Sequence, residues 1–95
     1  MLPEMKIGLD DVPEISRHFR LQFEQAQSAW VLLYPEGMVK LNSSAGAILS
    51  RCDGVRTLAD IVTDLERSYS ATGLMGDVSA FVALALDKHW LELHE

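Results

Sequence analysis

Cys52, His18, His89 and His94 are the side chains in this sequence best suited to nucleophilic or metal chemistry. None of their spacings matches a zinc-ligand pattern. Cys52 shares one helical phase with Ala45, Ile48 and Leu49 and lies between Arg51 and Asp53. A thiol on an apolar stripe without an electropositive neighbourhood is expected to be buried and inert. The acidic pairs Asp10-Asp11 and Glu92/Glu95 lie near the chain ends, where nothing fixes two carboxylates at a set separation. No glycine-rich phosphate loop of either common type is present. A carrier domain would need an Asp-Ser attachment motif, and Asp53-Gly54-Val55 lacks the serine. Ser43 and Ser44 follow Asn42 and read as helix-capping residues. No catalytic residue, metal-ligand set or cofactor is expected.

The elements around these residues follow from composition and periodicity. The 95 residues suit one domain, with 48% hydrophobic and 23% charged residues as in ordinary globular proteins. The net charge of −6, from 8 basic and 14 acidic residues, argues against nucleic acid, whose affinity rests on neutralised phosphates. The longest apolar run, Val78 to Leu86, is far too short for a membrane span. One cysteine makes no internal disulfide, and no secretory signal opens the chain, so a cytoplasmic protein is expected.

Met1 to Ser16, with Pro3, Gly8 and Pro13, is expected to form a flexible N-terminal arm, and residues 17–95 the folded domain. Phe19, Leu21 and Phe23 alternate with polar residues, which predicts a strand over Arg17 to Glu24. Trp30 to Tyr34 is a continuous apolar run suited to a central strand. Tyr34-Pro35-Glu36-Gly37 predicts a hairpin turn into Met38–Leu41. The period then changes to 3.6. A first helix is capped by Asn42 or Ser43 and stopped by Asp53-Gly54. A second starts at a Thr57/Asp60 capping box and buries Leu58, Ile61, Val62, Leu65 and Tyr69. A third is capped by Asp77 and carries the stripe Val78, Phe81, Val82, Ala85. Strands grouped before helices predict an α+β fold: a three-stranded antiparallel sheet followed by three helices.

The same order suggests a winged helix-turn-helix, but the third helix carries Asp77 and Asp87 against a single base, Lys88. A DNA-reading helix would be basic. What remains is a binding surface. An exposed strand edge is a row of unpaired backbone groups. Met38, Val39, Lys40 and Leu41 form such an edge, where Lys40 either guards against aggregation or borders an added peptide strand. The open edge and the arm also suggest a homodimer, by edge pairing or arm exchange.

The run Trp30-Val-Leu-Leu-Tyr-Pro-Glu-Gly-Met-Val-Lys-Leu-Asn42 resembles the PqqD family of pyrroloquinoline quinone (PQQ) biosynthesis. So do Ala47-Ile48-Leu49 with Cys52-Asp53-Gly54, Leu58-Ala-Asp-Ile-Val62, and Asp77-Val78. The likeness runs from about Arg17 to Leu91 and departs at His89, where such proteins often have glycine. The resemblance implies a peptide chaperone with a winged helix-turn-helix-like fold. It implies that the chain binds the precursor peptide PqqA and presents it to the radical S-adenosylmethionine enzyme PqqE. It also implies a peptide strand beside Met38–Leu41, packed on third-helix residues such as Phe81, Val82 and Ala85. The alternative is a binder of the quinone product or a late intermediate, with Trp30, Tyr34 and Trp90 as stacking surfaces.

Overall fold

The structure is a computed structural model that describes residues 7–94. Its elements in chain order are β1 (Val12–Ile15), β2 (Arg20–Glu24), β3 (Ala29–Tyr34), β4 (Gly37–Lys40), α1 (Ser43–Leu49), α2 (Leu58–Ser68), α3 (Met75–Asp87) and β5 (Leu91–His94). The expected antiparallel meander is present, in the order β2-β3-β4, with three helices after it. Leu32, at the centre of β3, is fully buried, as are Leu49, Leu58, Ile61 and Val82 from the helices. Burying each such side chain is worth about 1.5–3 kcal/mol. Together they form one core between the sheet and the helices.

The sheet meets α1 closely at one point. A Cβ on Gly46 would lie 2.6 Å from Cδ1 of Trp30, so the indole lies directly on the helix backbone there. Arg51 ties α1 to α2. Its guanidinium pairs with Asp64, donates to the Ala47 carbonyl at the end of α1 (2.8 Å), and reaches the Ser68 hydroxyl (3.3 Å).

Several local signals act as read. The Asn42 side chain accepts from the Ala45 N–H at 2.7 Å. The Thr57/Asp60 capping box is complete in both directions, at 3.1 and 3.2 Å. Others differ. α1 ends at Leu49 and closes through i→i+3 bonds from Arg51 and Cys52, so Gly54 is not its cap. Instead Gly54, at φ +77°, sits in a turn whose N–H donates to the Pro13 carbonyl. Asp77 does not cap α3, which begins two residues earlier without a side-chain cap; the Leu74 N–H donates to Glu66 instead. Tyr69 leaves the α2 stripe and is 60% exposed.

The largest difference lies at the chain ends. β1 and β5 form a second, two-stranded antiparallel sheet that pairs Val12 with His94 and Ile15 with Leu91. The Leu58 and Ala59 N–H groups at the start of α2 donate to the Asp11 and Leu9 carbonyls, at 2.8 and 3.1 Å. Residues 9–16, expected to be part of a flexible arm, are therefore stitched to α2, β5 and the α1–α2 turn. The remainder of that expectation, Met1 to Lys6, lies outside the described residues.

Candidate functional site

β4 ends the three-stranded sheet, so one side of it has no strand partner. The register places Leu33 opposite Met38, Leu32 opposite Val39 and Val31 opposite Lys40. The Leu41 N–H donates to the Trp30 carbonyl at 3.1 Å. Antiparallel strands alternate the direction of their backbone groups, so Gly37, Val39 and Leu41 bond inward to β3. Met38 and Lys40 point their N–H and C=O groups outward. Sequence left the phase open, and this one bond decides it. The open edge is about 13 Å long for four residues.

The side chains divide the opposite way. Val39 and Leu41 face the core, Leu41 buried and Val39 half-buried. Met38, 48% exposed, and Lys40, also exposed, face away from the helices. On α3, Phe81 is half-buried, whereas Val82 and Ala85 are wholly buried. α3 packs chiefly on α1, α2 and β5. Leu41, Val82 and Ala85, expected among the peptide contacts, are thus core residues with little surface to offer a peptide. Val82 and Ala85 lie on the apolar stripe of α3, and a stripe marks the packed face of a helix before it marks a binding face.

Sequence reasoning missed an open, mostly apolar pocket of about 290 Å³ among the three helices, lined by Ser43, Ala47, Leu65, Tyr69, Leu74 and Val78 among others. Its rim begins at Ser43, three residues beyond Lys40. The one faint sequence signal was Tyr69, an aromatic at the polar end of its stripe.

Little in the site is poised for covalent chemistry. Cys52 is buried, its thiol donates to the Ile48 carbonyl at 3.3 Å, and burial, then the neighbouring Asp53 charge, push it up to about 12. Among the described residues, no three His, Cys, Asp or Glu side chains are grouped to hold a metal ion. Among them also, no helix is long and apolar enough to cross a membrane. The rings considered for quinone stacking already have protein neighbours. Trp30 meets Phe23 edge-on at 5.2 Å, Tyr34 meets Phe19 at 5.5 Å, and Lys88 lies 5.7 Å over Trp90.

These features define a small α+β domain with an open sheet edge and an apolar pocket among its helices. The model of the family Coenzyme PQQ synthesis protein D (PqqD) matches residues 29–91, and the chain belongs to that family. It is 49% identical over 89 residues to the PqqA binding protein of Stutzerimonas stutzeri, covering 93% of this chain and 97% of that one. It is 52% identical to the PqqA binding protein of Azotobacter vinelandii, covering 90% and 95%. The PqqD truncation of Methylobacterium extorquens PqqCD superposes with a TM-score of 0.69 at 30% identity, covering 93% and 96%. That solution structure represents a functional, stand-alone recognition element for ribosomally synthesised and post-translationally modified peptides.

Proposed function

We propose that this chain is a non-catalytic peptide chaperone of PQQ biosynthesis that binds the precursor peptide PqqA as an added strand on β4. In this reading it then presents the peptide to the radical S-adenosylmethionine enzyme PqqE, in the cytoplasm. The observation that carries the reading is the outward backbone of Met38 and Lys40 on an edge strand. Those groups match the donors and acceptors of an extended peptide. The names of the relatives supply the peptide's identity. Phe81 is the third-helix residue of the expected set with surface left to meet it. For the quinone-binding alternative, Trp30, Tyr34 and Trp90 are each half-buried and each already has a protein neighbour.

The test follows from the alternation. Proline has no N–H and its ring occupies the space of an incoming strand. Met38→Pro and Lys40→Pro remove outward N–H groups, so both variants should remain folded. Each should weaken PqqA binding by about two- to tenfold, since one hydrogen bond is worth about 0.5–1.5 kcal/mol. Val39→Pro and Leu41→Pro remove inward bonds and should lower the melting temperature as well. Fluorescence anisotropy with labelled PqqA, beside thermal melts, reads both effects. A folded Lys40→Pro variant with unchanged affinity would move the site off this edge.

A further inference from the structure

The meander has a second open edge, and its chemistry differs from that of β4. The Trp30 carbonyl faces β4, so the alternate residues Ala29, Val31 and Leu33 turn their backbone groups toward β2. Their partners Glu24, Gln22 and Arg20 bond inward, and Leu21 and Phe23 present free N–H and C=O groups on the far side of β2.

We infer that β2 is a self-complementary edge at which two copies of this chain pair antiparallel about Gln22. Reversing Arg20-Leu21-Gln22-Phe23-Glu24 against itself places Arg20 opposite Glu24 of the other copy, twice by symmetry. It places Leu21 opposite Phe23, and these are the residues whose backbone groups are free, so four new hydrogen bonds close with the correct phase. An isologous two-fold contact requires that kind of self-matching patch. Two observations on the free chain fit it. Phe23 is a large apolar side chain left 44% exposed, and the pairing covers it with Leu21 of the second copy. Arg20 takes part in no ion pair among the described residues, in a chain with an excess of acids. β4 lacks this property, because pairing it with itself leaves Lys40 without an opposite charge. The dimer is thus a six-stranded sheet with a free β4 at each end.

A contact of five residues a side is well below the size of a standard stable interface. Association is therefore weak, with a Kd of about 0.1–1 mM.

The experiment is sedimentation equilibrium of the full chain and three charge variants from about 20 μM to about 1 mM. The wild type should shift from monomer to dimer. Arg20→Glu and Glu24→Arg should each weaken dimerisation at least fivefold, and the double variant R20E/E24R should restore it. Both sites are surface positions, and circular dichroism confirms that each variant is folded. Three outcomes overturn the inference: a wild type that stays monomeric throughout, a dimer indifferent to the single reversals, or a double variant that fails to recover. The first would leave Arg20 and Glu24 as charges that keep this edge from pairing.

Discussion

At the residue scale, the departure seen at His89 has a physical consequence. α3 ends in a Schellman motif. The Trp90 N–H donates to the Ala85 carbonyl at 2.9 Å and the His89 N–H to the Leu86 carbonyl at 3.0 Å. That geometry needs a left-handed residue after the cap, and His89 takes it at φ +64°. A side chain in this conformation costs about 1–2 kcal/mol, partly offset by the larger unfolded-state entropy of glycine. His89→Gly should therefore stabilise the chain by about 0.5–1 kcal/mol, a rise of about 2–8 °C in Tm by calorimetry. An unchanged or lower Tm would mean that the imidazole makes a compensating contact. Chirality sets this cost, and the sequence shows only that the position is not glycine. Cys52 was more legible. Its phase with Ala45, Ile48 and Leu49 placed it in the core, where burial pushes the thiol up.

At the element scale, legibility followed the range of the interactions. The Tyr34–Gly37 hairpin, the Asn42 cap and the Thr57/Asp60 box each close within four residues, so their signals sit in one window of sequence. β1 and β5 pair across almost the whole chain, and Pro13, with Pro3 and Gly8, marked its segment as a flexible arm. Proline is tolerated there because Pro13 lies opposite Leu93 at a position whose N–H would point away from β5. The outward carbonyl is used as well, accepting from Gly54. The alternation in Leu91-Glu92-Leu93-His94, which forms β5, is too brief to mark a strand without its partner.

The link between α1 and α2 depends on one carboxylate. The hydrogen bond from Arg51 holds the Asp64 carboxyl below the usual carboxylate range. A depressed folded-state value means the stabilisation is present above the unfolded value, about pH 4, and is lost as pH falls through the folded value. Asp64→Asn removes this dependence. It should lower Tm slightly at pH 7 and flatten the decline of Tm between about pH 5 and pH 2.5. Equal acid sensitivity in both proteins would assign the decline to other carboxylates. Asp53 is the first to examine. Its carboxyl is held low by the backbone N–H of Arg56, with further help from the Val55 N–H and the Arg56 charge.

At the scale of the whole molecule, the parts divide their roles. The β1–β5 ribbon and the start of α2 tie the chain ends to the helices. The helices bury one face of the meander and frame the apolar pocket. The two outer strands of the meander, β2 and β4, each keep one side without a strand partner, and these are the edges proposed for a second copy and an extended peptide, respectively. The candidate strand was legible from the hairpin and the periodicity, although it runs over Gly37–Lys40, one residue earlier at each end than the expected Met38–Leu41. Its outward phase was not, since that depends on which backbone groups the hairpin uses. Nor was the pocket, which three helices assemble from residues 43–78.

The central claim, that PqqA adds a strand to β4, has a signature in the alternation itself. Amide hydrogen exchange followed by NMR would report each β4 residue separately. In the free chain the N–H groups of Val39 and Leu41 should be protected by β3, while those of Met38 and Lys40 exchange quickly. Saturating PqqA should slow exchange at Met38 and Lys40 and leave the protected pair little changed. Binding of PqqA with no gain in protection at either Met38 or Lys40 would contradict the account.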